Sequence, residues 1–299
     1  MTVEVLAPAK VNLALHVTGQ REDGHHLLDT LVGFGPSFDR LTLREGKTLS
    51  LTVKGPELVG VPSNIDNLVM KAARLLDAER GASMVLEKHL PAASGIGGGS
   101  SDAAAAIRGL LAMWERANLN EMSDRALGAI SEKILSLGAD VPMCLIPCPL
   151  RARGIGEKIE WVRGLPPLPV VLMNPRVPVS TADVFRGLRV KDNAPMPDKF
   201  PEWSGIVDFC RWLGEQRNDL QPSAMALCPD IGTTLDRLNA CDGVLLTRMS
   251  GSGATCFAIF SDEEHCRMAA DRLSHENPGY WVAGGWLGNK VASAMPKIS

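Results

Sequence analysis

Apolar and polar residues alternate through most of the first 60 positions, with turn residues between the runs, and this period of two predicts a series of strands. In one such run Val11, Leu13, Leu15 and Val17 fall on one face, and Lys10, Asn12, Ala14 and His16 on the other. The period then changes. Leu68, Ala72, Leu75, Leu76 and Glu79 recur at helical spacing and predict a helix over 66–80, stopped by Gly81. A short strand is expected at 84–86, then helices over 102–117 and 122–137, the second stopped by Gly138. Prolines punctuate 141–175, which reads as strands, and 165–169 and 191–202 read as surface loops. Helices are expected near 204–214, 223–228 and 233–240. The last part reads as strand 244–249, a Gly-Ser-Gly turn, strand 255–260, helix 263–275 and strand 280–284. Early strands, middle helices and a late ββαβ unit predict an α+β architecture in two layered halves. The boundary is expected in 150–175, with 1–160 and 161–299 as the two domains.

Length and composition agree with that picture. A chain of 299 residues is long enough for two domains and a substantial core. Hydrophobic content of 45% and charged content of 22% exclude disorder, collagen and coiled coil as the main state. A net charge of −3 offers no global field for nucleic acid or anionic membrane, so a polyanionic ligand must be held by a few local donors. The apolar runs fall short of a membrane span, and the N-terminus lacks the basic and apolar regions of a signal peptide. Seven cysteines, with no Cys-x-x-Cys and no histidine beside the close pair Cys144 and Cys148, read as reduced thiols of a cytoplasmic protein, not a zinc site.

Four segments carry candidate chemistry. The sharpest is Pro91-Ala-Ala-Ser-Gly-Ile-Gly-Gly-Gly-Ser-Ser-Asp102, which leads from a strand into an alanine-rich helix. Glycines let the backbone curl until several amides point inward, and the helix start adds partial positive charge, so the segment predicts a phosphate cradle with Gly98 at positive φ. A flexible linker is the bland alternative, but Ile96 and the following helix demand close packing. The cradle is not a Walker A loop, since no lysine follows the glycines, and Ser100 stands where the dinucleotide fingerprint needs its third glycine. A second glycine segment, Met249-Ser-Gly-Ser-Gly-Ala-Thr255, reads alone as a hairpin turn. In Ala7-Pro-Ala-Lys-Val-Asn12, Lys10 and Asn12 share a strand face that points either into a cleft or to solvent. In Leu137-Gly-Ala-Asp-Val-Pro142, Asp140 is either a loop cap or a half-buried carboxylate that needs a partner such as lysine.

These four segments occur in the order seen in the GHMP kinases, and the chain resembles that family over nearly its whole length. Gly19-Gln-Arg-Glu-Asp-Gly-His-His26 and Asn218-Asp219-Leu220 narrow the likeness to the branch that acts on a cytidine-diphosphate-linked methylerythritol. The resemblance implies an N-terminal ATP-binding half, a ferredoxin-like C-terminal half and an active site in the cleft between them. It implies ATP with Mg2+ as cosubstrate and a small-molecule acceptor, phosphorylated on its 2-hydroxyl in the non-mevalonate route to isoprenoid precursors. Pro91, Ala92, Ala93, Ser94, Gly95, Ile96, Gly97, Gly98, Gly99, Ser100 and Ser101 are then expected around the ATP phosphates, with Asn67 on the adenine side. Lys10 and Asp140 become the catalytic pair, Asn12 sits beside them, and His26, Thr181 and Phe185 line the cytidine pocket. Ser100 or Ser101 is the only metal ligand in view, since the pattern has no dedicated acidic one. One departure stands out. Where the family has tyrosine stacking opposite the Phe185 position, this chain has His25, which is expected to take over the stack. Kinases of homoserine or mevalonate, a non-catalytic nucleotide-binding protein on the same fold and a nicotinamide oxidoreductase are the rival readings. The Asp-Gly-His-His segment, the intact Lys10 and Asp140, and the form of the glycine loop speak against them in turn.

Overall fold

A computed structural model of the chain describes residues 1–114 and 133–299. Two long antiparallel strands, β1 (Thr2–Gln20) and β2 (His26–Glu45), form a bent hairpin whose register shifts at Pro8/Lys10, Asn12/Ala14 and Val17/Gly19. β3 (Leu49–Lys54), α1 (Leu68–Leu76) and β4 (Ala82–Glu87) follow. α1 is shorter than the predicted 66–80: Asn67 caps its start, and the polar run from Asp77 leaves the helix before Gly81. α2 (Gly98–Trp114) begins inside the glycine loop, four residues earlier than expected. The predicted 115–117 end of that helix lies outside the described residues, as does most of the expected helix 122–137. A single 3-10 turn, Leu135–Leu137, runs up to Gly138.

After this turn the chain forms α3 (Val141–Leu145), β5 (Leu150–Gly154), β6 (Lys158–Trp161) and β7 (Leu168–Asn174). α3 corrects the expectation of a strand there. Pro142 sits in its first turn, where the missing N–H costs no hydrogen bond. α4 (Thr181–Arg186), which the sequence pattern did not announce, is followed by α5 (Ile206–Gly214), α6 (Gln221–Leu227) and α7 (Asp230–Asn239). β8 (Val244–Met249), β9 (Cys256–Phe260), α8 (Glu263–Glu276), β10 (Trp281–Leu287), α9 (Val291–Ala294) and β11 (Lys297–Ile298) complete the fold.

Among the described residues, the first sheet runs β11-β1-β2-β4-β3, with β5 paired to β2 and β6 to β5; β3 and β4 are parallel. The second runs β10-β7-β9-β8 and is antiparallel. α2 packs tightly on the first sheet through Ala103–Ala106, Ile107 and Leu110. The contact is so close that a Cβ on Gly109 would lie 2.5 Å from Leu43 Cδ1. α7 and α8 cover one face of the second sheet through Ile231, Leu238, Cys266, Ala269 and Leu273. Its other face meets β1: Ala9, Val11 and Leu13 share one core cluster with Leu168, Val170 and Leu172 of β7 and Phe257 and Ile259 of β9. β1 is therefore covered on both sides, and the face that might have met solvent is buried as well: Lys10, Asn12 and His16 are all nearly inaccessible.

Two buried guanidinium groups lock this arrangement. Arg108 on α2 donates to Leu6 O (2.8 Å), Cys144 O (2.7 Å) and Ala294 O (3.2 Å), tying α3 and the C-terminal segment to β1. Arg248 on β8 donates to Leu13 O (2.8 Å) and to Leu213 O and Gln216 O (both 2.9 Å). Burial pushes both groups down to about 10, where they still carry their charge at neutral pH.

Candidate active site

Between the two sheets lies a cleft of about 970 Å3. Its floor is made by two glycine segments that meet backbone to backbone. Ser250 Oγ accepts from Asn12 N (3.1 Å) and donates to Gly95 O (3.0 Å), and Thr255 N donates to Ser94 O (3.1 Å). Gly95 has φ 76°, and a Cβ there would lie 2.5 Å from Ser250 O and 2.7 Å from Gly253 O. Only glycine suits this crossing. Positive φ occurs at Ala93, Gly95 and Gly97, alternate positions that curl the loop toward the start of α2. Gly98 corrects the expectation made for it. It opens α2 without positive φ, and a Cβ there would make ordinary contacts of 3.6 Å with Leu90 and Lys88.

Ala93, Ser94, Gly95, Gly97, Gly98, Gly99 and Ser100 line the cleft. Of the remaining loop residues, Ile96 is buried and accepts from Lys10 N through its carbonyl (2.9 Å), while Pro91 O accepts from Ser94 Oγ (2.6 Å). Pro91 is buried and Ala92 exposed, and neither is among the lining residues. Ser101 Oγ donates to Pro8 O (2.8 Å) and is fully buried, so of the two serines only Ser100 faces the cleft. Asn67 is committed elsewhere: its side chain caps α1 by accepting from Val69 N (2.8 Å) and donates to Pro62 O (2.6 Å). Leu68 is the α1 residue that reaches the cleft.

At the centre, Lys10 Nζ lies 2.7 Å from Asp140 Oδ2. The lysine is 4% exposed and the aspartate 38%, so the cation is held in the wall while the carboxylate opens to the cleft. Asp140 immediately precedes α3, yet its side chain makes no capping hydrogen bond, which disposes of the loop-cap alternative. Asn12 is oriented by donating from Nδ2 to Thr30 Oγ1 (2.8 Å), and Thr30 in turn donates to Ala14 O (2.7 Å). Asn12 Oδ1 is buried without a partner among the described residues, and the residue lines the same cleft.

The far end is aromatic. His26 stacks on Phe185 with ring centroids 4.7 Å apart and planes at 27°. The ring in direct contact with Phe185 is therefore His26, one residue after the position expected to stack on a bound base. His25 is 64% exposed at the cleft rim and pairs with Asp23 (3.1 Å). The one-residue difference follows from the hairpin, whose register pairs His26 with Gln20 and leaves His25 in the turn. Burial, reinforced by the charge of Lys191, holds the His26 imidazole below its ordinary value, and its Nε2 has no partner among the described residues. Thr181 Oγ1 lies 2.8 Å from Ser252 Oγ, joining α4 to the second glycine segment.

Sequence reasoning passed over several supports. Lys88 lies under the loop and bridges Asp39 and Asp102 Oδ2, the latter at 2.6 Å. Asp39 Oδ1 also accepts from His89 N (2.5 Å) and Leu90 N (2.8 Å). Burial pushes the Asp102 carboxyl well above the usual carboxylate range. Asn218 holds the second glycine segment by donating to Met249 O (2.8 Å) and Gly251 O (2.9 Å). A polar residue beside a glycine run was the available signal for Asp102 and Ser250; Thr30 and Asp39 carried none.

Comparisons with known proteins bear on this geometry. Residues 67–147 match the GHMP kinases N terminal domain, and residues 201–278 match GHMP kinases C terminal. The 4-diphosphocytidyl-2-C-methyl-D-erythritol kinase of Dinoroseobacter shibae is 51% identical over 93% of this chain and 92% of its own length. The protein of the same name from Roseobacter denitrificans is 47% identical over 99% and 97%. A crystal structure of 4-(cytidine 5'-diphospho)-2C-methyl-D-erythritol kinase superposes with a TM-score of 0.71 at 34% identity, covering 96% of this chain and 99% of that one. Homoserine kinase from Cytophaga hutchinsonii shares the fold at a TM-score of 0.64 and 18% identity, over 100% of this chain and 97% of that one.

Proposed function

The chain belongs to the GHMP kinases, and on that footing we propose that it transfers the γ-phosphoryl group of ATP to the 2-hydroxyl of 4-diphosphocytidyl-2-C-methyl-D-erythritol. One observation carries the assignment of roles: the Lys10–Asp140 pair, a glycine loop at a helix start and an aromatic pair all line one cleft. Phosphoryl transfer passes through a loose transition state, so alignment and charge neutralisation do most of the work. The loop amides and the start of α2 receive the ATP phosphates. Asp140 Oδ faces the acceptor hydroxyl and takes its proton, and Lys10 holds that carboxylate in place through a charge-assisted hydrogen bond. Asn12 Oδ1, an acceptor with no other partner among the described residues, receives a hydroxyl of the erythritol chain. His26, Phe185 and Thr181 receive the cytidine.

Mg2+ fits the open part of this site. Ser100 Oγ is a hard oxygen donor on the cleft wall that would hold such an ion, and no group of three ligating side chains exists among the described residues. Such an ion takes most of its ligands from phosphates and water, and it supplies charge neutralisation on the phosphates. The seven cysteines are free, in keeping with a reducing cytoplasm, and no helix among the described residues is long and apolar enough to cross a membrane. Residues 1–160 form the ATP-binding half in this proposal and 161–299 the other, with β11 returning to pair with β1.

The test is ATP consumption against a panel of 4-diphosphocytidyl-2-C-methyl-D-erythritol, mevalonate and homoserine. Turnover with the first and not the others is expected. Preference for mevalonate or homoserine would overturn the acceptor assignment and leave the kinase assignment standing.

A further inference from the structure

Among the described residues, three lysine or arginine side chains line the cleft: Lys10, Arg186 and Lys191. Lys10 is paired with Asp140, and Arg186 with Asp183. Among the described residues Lys191 has no carboxylate partner; its Nζ donates only to Gln20 Oε1, at 3.2 Å. It is not a loose surface lysine. The segment that carries it is pinned along β1, where Asn193 N donates to Val17 O (2.9 Å) and Thr18 bridges Asp192. Its charge lies close enough to the stacked His26 ring to act on it electrostatically. A half-buried cation held beside an aromatic pair, with its charge uncommitted, is arranged for an anion attached to whatever stacks on that pair.

We propose that Lys191 is a specificity-determining residue that binds the diphosphate of the acceptor, next to the base held by His26 and Phe185. The proposal rests on the acceptor assigned above and deepens it. The donor phosphates have the glycine loop and the start of α2. The acceptor's phosphates lack such a cradle. Lys10 Nζ already carries a charge-assisted bond to Asp140 at 2.7 Å. Lys191 supplies the missing charge, and Gln20 holds its ammonium in place.

The experiment compares binding of CDP and cytidine by calorimetry to the wild-type protein, Lys191→Gln and Lys191→Arg. It also measures KM for both substrates. In wild type, CDP binds tighter than cytidine by about tenfold or more, the scale of a hydrogen bond between charged groups. Lys191→Gln brings the ratio down to about twofold or less and raises the acceptor KM by about tenfold, with the ATP KM and kcat unchanged within about twofold. Lys191→Arg retains most of the CDP preference, because the charge and the donors remain. A CDP preference that survives Lys191→Gln overturns the inference and leaves the acceptor assignment standing. So does a rise in the ATP KM in place of the acceptor KM. A wild-type protein that binds neither cytidine nor CDP overturns the acceptor assignment, and this inference with it.

Discussion

Replacing Gly95 by alanine separates the glycine that the cleft floor requires from its neighbours that merely tolerate change. Gly95 has φ 76°, a conformation that costs an L residue about 1–2 kcal/mol. The new methyl would sit 2.5 Å from Ser250 O, 2.7 Å from Gly253 O and 2.8 Å from Gly253 N. All three are backbone atoms, so a side chain cannot swing away. The second glycine segment must retreat, at a cost of about 1–3 kcal/mol typical of overpacking. The sum, about 2–5 kcal/mol, is drawn from two observables: folding stability, and ATP affinity through the displaced loop amides. Gly98→Ala is the control, since it needs no positive φ and its Cβ would have no contact closer than 3.6 Å. Calorimetric ATP titration and thermal melting of both variants check the difference. Gly95→Ala should weaken ATP binding at least about tenfold or melt well below wild type, and Gly98→Ala should stay within about threefold in ATP affinity with little change in melting. Wild-type behaviour of Gly95→Ala, or equal damage from the two, would refute the account of the crossing.

Three other outcomes are expected. Asp140→Asn folds normally, since the carboxylate caps nothing, but loses about 100-fold or more of its single-turnover rate; a rate within a few-fold of wild type would remove Asp140 from the chemistry. His26→Ala raises the acceptor KM by about tenfold and leaves the ATP KM alone, while His25→Ala changes both by less than about threefold; the reverse pattern would return the stack to His25. Chiefly through burial, His16 and His26 are held below 6.5, so the unfolded chain takes up protons first as pH falls, and stability declines from pH 6.5 down to the folded values and then levels off. Denaturant titrations at about pH 7.5 and about pH 5.5 should therefore show a smaller loss in His26→Ala than in wild type, and equal losses would count against the buried neutral imidazole.

The glycine loop was legible because its chemistry is local: four glycines before an alanine-rich helix leave few other uses. Lys10 and Asp140 were each legible as polar residues in apolar surroundings, but their pairing spans 130 positions and came only with the family resemblance. The alternation of β1 left open whether its polar face meets a cleft or solvent, because no periodicity reveals that a second sheet will cover the strand. Sequence reasoning placed both His25 and His26 at the acceptor end, and both line the cleft, but which ring meets Phe185 depends on the hairpin register that pairs His26 with Gln20. Pro142 marked a break correctly, but it opens a helix and not a strand. The Asp39, Lys88 and Asp102 cluster had no signal as a cluster, as its members come from three separate stretches of the chain.

The crossing of the two glycine segments also constrains how the cleft can change. Hydrogen bonds through Ser250 join the loop, β1 and the β8–β9 turn into one piece at the floor of the cleft. A hinge placed there would have to break backbone contacts on both sides, so the floor acts as a weld between the sheets. The rim is joined more locally: Lys191 with Gln20 links the 20–26 hairpin to the segment after α4, and α4 is seated by buried Val184 and tied to the second glycine segment through Thr181 with Ser252. New acceptors can be accommodated by rebuilding that rim while the machinery beneath it stays in register.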